Sequence, residues 1–242
     1  MSSVLNELTD DWRRVLAVVA HPDDLEYGAS GAIARWAAKG ADVGYVLATC
    51  GEAGIDSLRP DIASRVRRDE QLAAAAVVGV TSVEFLDHPD GQIADALRLR
   101  RDVAAAIRRH QPEVLVTLTE RHRIGAQLNS PDHRMVGTAV LDAVADAANR
   151  WIFPELGKDG LGPWAGVRAV CLFASPCPTH FVDITDQLQA AVASLACHRA
   201  YLAALGSDPA EVLVPAARET GQQVGVGAAV SVEVVWFGRP PA

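Results

Sequence analysis

The sequence predicts an α/β fold built on a doubly wound, mostly parallel sheet with helices on both faces. Three observations carry the prediction. Short valine-rich runs alternate with stretches of 3.6-residue periodicity. Half of the 242 residues are hydrophobic but only 5% are aromatic, a composition suited to small helices packed on a parallel sheet. Polar clusters rich in histidine and aspartate follow the apolar runs, at the sheet edge where open α/β folds bind ligands.

Met1 to Arg14 is acidic and polar, a short leader with no targeting pattern. Val15 to Ala20 is the first strand and ends abruptly in His21-Pro22-Asp23-Asp24-Leu25-Glu26. Ser30 can cap a helix over Gly31 to Lys39, stopped by Gly40, and Ala41 to Leu47 completes a βαβ opening. The loop Thr49 to Gly54 lies beyond that second strand, and its glycines permit a tight path. Asp61 to Val78 reads as a helix with Ile62, Val66, Ala73, Ala76 and Val77 on its apolar side and Arg67, Arg68, Asp69 and Glu70 elsewhere. Val83 to Leu86 is a third strand, punctuated by Asp87-His88-Pro89-Asp90-Gly91. A helix over Ala94 to Arg109 and a strand over Glu113 to Leu118 follow.

Thr119 to Asn129 is a polar loop, after which Ser130 is an N-cap, Pro131 takes the first helical position and Asp132 the first turn. Capping accounts for Ser130 and Asp132 but not for His133. The helix continues to Asn149 with Val136, Val140, Leu141 and Val144 as its stripe. Trp151 to Gly166 reads as an inserted loop able to line a pocket, Val167 to Ala174 as a strand, and Pro178 to Ile184 as a short extended piece carrying His180. Thr185 and Asp186 can cap a helix over Gln187 to Ala204, and Val230 to Phe237 reads as a late strand, antiparallel or at an edge, before the tail Gly238 to Ala242. The expected organisation is one domain over residues 1–242, with a core over about 14–184 and a C-terminal helix and strand over 185–242.

A formal charge of −8, with no basic cluster beyond Arg65, Arg67 and Arg68, gives no footprint for nucleic acid. No apolar run approaches the roughly 18 residues of a membrane span, so a cytoplasmic protein is expected. Cys50, Cys171, Cys177 and Cys197 show no CxxC spacing and are expected to be buried free thiols. No GxGxxG fingerprint follows the first strand, which disfavours a nucleotide-binding domain.

His21, Asp24 and His133, all expected at one sheet edge, offer two imidazoles and a carboxylate, a donor set for Zn²⁺ with an open position. Of two adjacent carboxylates, one can bind the metal while the other takes the proton of metal-bound water. Amide hydrolysis is the reaction such a device suits, and His180 is a further imidazole that could stabilise the oxyanion or protonate the amine.

Val18-Val19-Ala20-His21-Pro22-Asp23-Asp24-Leu25-Glu26 resembles the signature of the PIG-L or LmbE-like family of zinc-dependent N-acetylglucosamine deacetylases. Gly51-Glu52-Ala53-Gly54, Arg67-Arg68-Asp69-Glu70, Pro89-Asp90-Gly91, Pro131-Asp132-His133, and His180 ahead of Val182-Asp183-Ile184 match in order, covering roughly Val15 to Ile184. The resemblance implies a Rossmann-like fold and removal of an acyl group, usually acetyl, from an amino-sugar conjugate. It implies His21, Asp24 and His133 as metal ligands, Asp23 as general base, Arg67 and Asp90 as sugar contacts, and His180 near the reacting centre. The metal it implies is Zn²⁺, with Fe²⁺ open to the same donors. Ser130 stands where family members commonly have a histidine, and Cys50 where a larger polar residue is more usual. Substrates in view are an N-acetylglucosaminyl inositol, a glycosylated natural product or a chitin-type fragment, with selectivity expected in the loops Trp151 to Gly166 and Glu219 to Gly227. The alternative is a catalytically silent sugar- or metal-binding member, and homo-oligomerisation is left open.

Overall fold

The computed structural model describes residues 5–8 and 11–238. In chain order its main elements are β1 (Asn6–Glu7), β2 (Arg14–Val19), α1 (Ser30–Ala38), β3 (Asp42–Leu47), α2 (Pro60–Val77), β4 (Ser82–Phe85), α3 (Ala96–His110) and β5 (Val114–Leu118). There follow the small hairpin β6 (Arg123–Ile124) and β7 (Gln127–Leu128), α4 (Pro131–Ala148), α5 (Glu155–Lys158), β8 (Ala169–Phe173), β9 (His180–Asp183), α6 (Leu188–Leu195), α7 (Arg199–Leu205), α8 (Pro209–Val224) and β10 (Ala229–Trp236).

The large sheet has the order β1-β9-β10-β8-β5-β2-β3-β4. Its pairings are parallel except where β10 runs antiparallel to β8 and β9. From β2 the chain winds outward through β3 and β4, then returns to β5 on the other flank, so the order reverses between β2 and β5. Crevices form at such a reversal, beyond the strands' carboxyl ends.

Because successive strand residues face opposite ways, the buried strands feed two cores. Val15, Ala17, Val19, Tyr45, Val116 and Phe173 pack beneath α1, α6 and α8, with Ile33, Trp36, Leu188 and Ala217 opposite them. Leu16, Val18, Val46, Leu115 and Leu172 pack beneath α3 and α4, against Leu99, Val103, Ile107, Val136 and Val140. Among the described residues, no helix is long and apolar enough to cross a membrane.

The structure revises several sequence expectations. Helix α2 buries Ala63, Arg67, Gln71, Ala74 and Ala75, while Ala73, Ala76 and Val77 are exposed. Its inward face is polar in the middle because two long side chains reach the strand ends. Ser30 does not cap α1; its hydroxyl donates to the Glu26 carbonyl one turn back. The polar loop before α4 contains the hairpin β6–β7. The single helix expected over Gln187 to Ala204 is broken into α6 and α7 at His198, which is fully buried with Nε2 3.6 Å from Glu26 Oε2. Thr185 and Asp186 do not cap α6, whose N-cap position is Gln187. Residues taken for a loop end helix α8, capped by the Asp208 carboxylate and stopped at Gly225 with φ 83. Strand β10 is antiparallel to both its neighbours, one of the two expected arrangements, and is interior, not at an edge; part of the N-terminal leader adds β1 beside β9. Of the four thiols, all free, only Cys171 is buried and Cys177 is exposed. The tail beyond Gly238 lies outside the described residues.

The loop Trp151 to Gly166 lies at the other edge of the sheet from the strands' carboxyl ends. Helix α4 runs antiparallel to the strands, and its 18 residues span roughly 27 Å, delivering the chain to the amino edge. There Trp164 donates from its backbone to Ala147 and from its indole to the Pro112 carbonyl that precedes β5.

Candidate active site

The turn after β2 folds on its own side chain. Oδ2 of Asp24 accepts from the backbone N–H groups of Ala20 at 3.0 Å and His21 at 2.9 Å. That leaves Oδ1 directed away from the turn. Asp23 adopts φ 90, a left-handed conformation that Asp tolerates better than most residues, and Gln71 Oε1 accepts its backbone N–H at 2.9 Å. The reversal turns the two adjacent carboxylates to different partners.

Asp24 Oδ1 faces His133 Nε2 at 3.0 Å and His21 Nδ1 at 3.6 Å, and those two ring nitrogens are 3.2 Å apart. Ligands of a tetrahedral ion held at about 2.1 Å lie about 3.4 Å from one another, so the three atoms have the spacing of one coordination sphere. The far nitrogen of each ring is already engaged. His133 Nδ1 meets Asn129 Oδ1 at 3.0 Å, and Asn129 Nδ2 donates to the carbonyls of Thr119 and Arg121. The amide orientation therefore puts the proton on Nδ1 and the lone pair on Nε2. His21 Nε2 faces Asp90 Oδ1 at 3.1 Å and Asp132 Oδ2 at 3.3 Å. Asp132 is fixed by the N–H groups of Gly91 and Ile93, and Asp90 by that of Ala53.

His21, Asp90 and Asp132 also cluster closely enough for a cation. His21, Asp24 and His133 fit one better, because backbone donors occupy both oxygens of Asp132, whereas Asp24 Oδ1 accepts no backbone N–H and meets both ring nitrogens. Electrostatics agree with a cation-seeking centre. Burial opposes charge on His21, yet Asp24, Asp132 and Asp90 together push its pKa up to about 12. Burial likewise opposes charge on Asp24, and the imidazoles of His133 and His21 hold it well below the usual carboxylate range.

Asp23 is held apart from this set. Its Oδ1 accepts from Arg67 Nη2 at 2.7 Å, and the same nitrogen donates to the Pro22 carbonyl. The guanidinium is 2% exposed and lies 3.9 Å from the ring centroid of Tyr201 on α7. Burial pushes the Asp23 carboxyl up to about 7, against the pull of Arg67. Behind it, Gln71 Nε2 donates to Glu26 Oε1, which links the turn to buried His198. The break between α6 and α7 thus sets Tyr201 on Arg67. Arg68 points elsewhere, stacking 4.2 Å from Phe85 with Nη1 3.5 Å from Cys50 Sγ.

A cleft of about 660 Å³ opens over these groups. His21, Asp23, Asp24, Arg67, Asp90 and His133 all line it, so six of the seven expected site residues share one cavity. His180 does not line it. It begins β9, beyond β10 and β8 in the sheet, where its ring meets Thr179 Oγ1 at 2.8 Å and the edge of Trp236 at 6.1 Å between centroids. The expected substrate loops, Trp151 to Gly166 and Glu219 to Gly227, contribute nothing to the cleft wall. Gly54, Leu118, Ile124, Gln127, Ala174 and Tyr201 do. Asn129 and Asp132 were missed as site residues: the sequence showed one as loop and the other as a first-turn acid, and only the fold brings them behind the two imidazoles.

Residues 16–144 match the family model described as PIG-L: GlcNAc-PI de-N-acetylase. The chain is 28% identical over 206 residues to a diacetylchitobiose deacetylase of Thermococcus kodakarensis, covering 80% of this chain and 72% of that one. It is 30% identical over 191 residues to a 1D-myo-inositol 2-acetamido-2-deoxy-alpha-D-glucopyranoside deacetylase of Kineococcus radiotolerans, covering 65% of this chain and about half, 51%, of that relative. Among solved structures, the N,N'-diacetylchitobiose deacetylase from Pyrococcus horikoshii superposes with a TM-score of 0.84 at 24% identity, over 93% of this chain and 84% of that one. The 4-carboxy-2-hydroxymuconate hydratase GalB of Pseudomonas putida superposes with a TM-score of 0.78, also at 24% identity, over 95% and 98%.

Proposed function

Since the chain belongs to the PIG-L family of GlcNAc-PI de-N-acetylases, we propose that it is a metal-dependent hydrolase that removes an N-acyl group from an amino-sugar conjugate. The observation that carries this reading is the trio of free ligand atoms on His21, Asp24 and His133 beside a separate buried carboxyl on Asp23. Two such relatives are named as deacetylases of N-acetylglucosamine-containing molecules, which supports the same substrate class here.

A divalent cation held by His21, Asp24 and His133 would polarise the amide carbonyl and lower the pKa of water towards about 7. Zn²⁺ suits two imidazoles and a carboxylate, and Fe²⁺ accepts the same donors. The chain's own groups do the rest. Asp23 takes a proton from the attacking water as its oxygen bonds to the amide carbon, then returns a proton to nitrogen as the C–N bond breaks, giving a free amine and a carboxylate. A carboxyl near pH 7 is matched to both halves of that exchange. Arg67 fixes the Asp23 carboxylate, and Asp90 and Asp132 fix the His21 ring. Arg67 and Asp90 border the cleft where the sugar's hydroxyls would lie. Ser130 lines the cleft too, and since its oxygen accepts from the Asp132 N–H, its own hydrogen is available to the developing oxyanion. His180 takes no part in this scheme.

The hydratase on the same fold shows that fold alone does not select amide cleavage. Metal analysis of the purified protein, with amine release from N-acetylglucosamine conjugates before and after chelation, tests the proposal. Stoichiometric metal with chelator-sensitive amine release is expected. Absence of metal after reconstitution, or metal without amine release on any conjugate, would sink it.

A further inference from the structure

Beside the reaction cleft lies a second cavity, of about 260 Å³. It forms where α1, α6 and α8 meet the carboxyl end of β8 and the start of β10, and Phe173, Ile184, Leu188, Ala191, Leu213 and Ala217 give it an apolar wall. Several polar groups at its margin are satisfied within the protein: Ser30 Oγ donates to the Glu26 carbonyl, Thr220 Oγ1 to the Ala216 carbonyl, and Glu26 Oε1 accepts from Gln71 and Ser194, while Glu26 Oε2 has no hydrogen-bond partner and lies 3.6 Å from His198 Nε2.

The two cavities share Tyr27, Gly28 and Ala174 in their walls. Gly28 and Ala174 add little bulk to the divide, glycine having no side chain and alanine only a methyl, while Tyr27 borders both cavities. Ala174 holds φ 55, a conformation uncommon for a residue with a Cβ, as the chain turns off the end of β8 at this boundary.

Strand order fixes which side of the reacting centre the second cavity occupies. Gly54, Arg67 and Asp90 come from the connections after β3 and β4; His21, Asp24 and His133 come from β2 and the β5-to-α4 connection; the apolar cavity lies by β8 and β10. The sugar contacts and the apolar cavity therefore flank the metal ligands on opposite sides. An amide carbonyl carbon carries its nitrogen and its acyl chain on opposite flanks as well. A substrate whose sugar meets Arg67 and Asp90 sends its acyl chain towards β8.

We infer that this cavity is an acyl-chain site, and that the enzyme acts on amino sugars whose N-acyl group is a medium-length alkyl chain and not only acetyl. The inference rests on the deacylase reading above and names the substrate class for it. A volume of 260 Å³ is many times the ~30 Å³ share of one water. Acetyl leaves it unused, whereas a hexanoyl tail can fill it. Each methylene moved from water to such a wall is worth ~4-fold in binding.

The test compares N-acetylglucosamine, N-hexanoylglucosamine and the hexyl glycoside of N-acetylglucosamine on the metal-loaded full chain and on Ala216→Phe. Ala216 lines the cavity from an exposed position on α8, so the larger side chain narrows the cavity without entering the core. Amine release gives kcat/KM, and calorimetry in the Asp23→Asn background gives binding while the amide stays intact. The expected result is N-hexanoylglucosamine bound, and turned over, at least ~10-fold better than the acetyl compound, with Ala216→Phe removing that gain and leaving acetyl turnover unchanged. No preference for hexanoyl, or a preference indifferent to Ala216→Phe, overturns the inference. So does an effect of Ala216→Phe on the hexyl glycoside alone, which would assign the cavity to the aglycone. A binding preference abolished by Ala216→Phe but with no amine release supports the acyl site and sinks the deacylase reading.

Discussion

Replacing Asn129 with alanine separates the imidazole's aim from its presence. The Asn129 side chain is 2% exposed and makes three hydrogen bonds: it accepts from His133 Nδ1 at 3.0 Å and donates to Thr119 O at 2.8 Å and Arg121 O at 2.9 Å. Two consequences follow. The two carbonyls lose a buried donor, which at ~1 kcal/mol per net bond and more for any group left unsatisfied costs about 2–3 kcal/mol of stability. The His133 ring also loses the partner that fixes its tautomer and tilt, and loss of such an orienting group typically costs roughly 10–100-fold in metal affinity, or about 1.4–2.8 kcal/mol. Asn129→Asp keeps an acceptor for Nδ1–H but sets a carboxylate against the two carbonyls. It should therefore lose at least as much stability as Asn129→Ala while retaining tighter metal binding. The assay is competition for Zn²⁺ against a chelator of known affinity, with chemical denaturation of the metal-free protein as the stability readout. If Asn129→Ala binds Zn²⁺ as tightly as the wild type, the orienting role of Asn129 is refuted, whatever the stability change.

Asp23→Asn should keep metal content near wild type, because Asp23 supplies none of the three converging ligand atoms, and Asn tolerates positive φ. Turnover should fall ~10²–10⁴-fold in an amine-release assay; undiminished turnover would remove Asp23 as the base. At the opposite sheet edge Arg108, 3% exposed, donates to the carbonyls of Asp146, Ala147, Asn149, Ile152 and Phe153. Arg108→Met should cost on the order of 3 kcal/mol in chemical denaturation while leaving metal affinity unchanged, since α4 meets the site at its other end. Glu84 has its pKa lowered by the hydrogen bond from His110, with Arg109 adding to it. A carboxylate depressed in the folded state contributes stability above its unfolded pKa of ~4.3 and loses it as pH falls through the folded value. Melting profiles of Glu84→Gln should therefore decline less steeply than wild type below about pH 4.3, and an identical acid limb would show that the pair contributes nothing.

What the sequence disclosed follows from where its information is local. His21 and Asp24 are legible because they end an apolar run, and His133 because capping explains Ser130 and Asp132 but leaves the histidine over. The alternation of strands and helices up to α4 is legible for the same reason, since each boundary carries its own Pro, Gly or capping residue. Helix α2 was misread because counting apolar residues assumes that they face inward, whereas this helix sends Arg67 and Gln71 to the site and leaves Ala73 and Val77 in solvent. Pro215 inside α8 masked a helix whose Asp208 cap and Gly225 stop were otherwise present. The split at His198 buries that ring 3.6 Å from Glu26, a residue far away in the chain, and no local pattern announces such a contact. Whether a loop reaches the cleft is a question of helix direction and length. Trp151 to Gly166 has the composition of a pocket loop, but α4 carries it to the wrong edge.

The backbone at Asp23 has a consequence for how such a chain can change. With φ 90, this position is one that glycine occupies at no conformational cost and any other residue occupies at some. Substitution by glycine would relax the turn and also remove a buried carboxyl, so drift towards a sturdier fold and drift towards an inert pocket begin with the same substitution. On the proposed role of Asp23, its replacement by glycine in a relative would therefore keep the scaffold and give up the reaction.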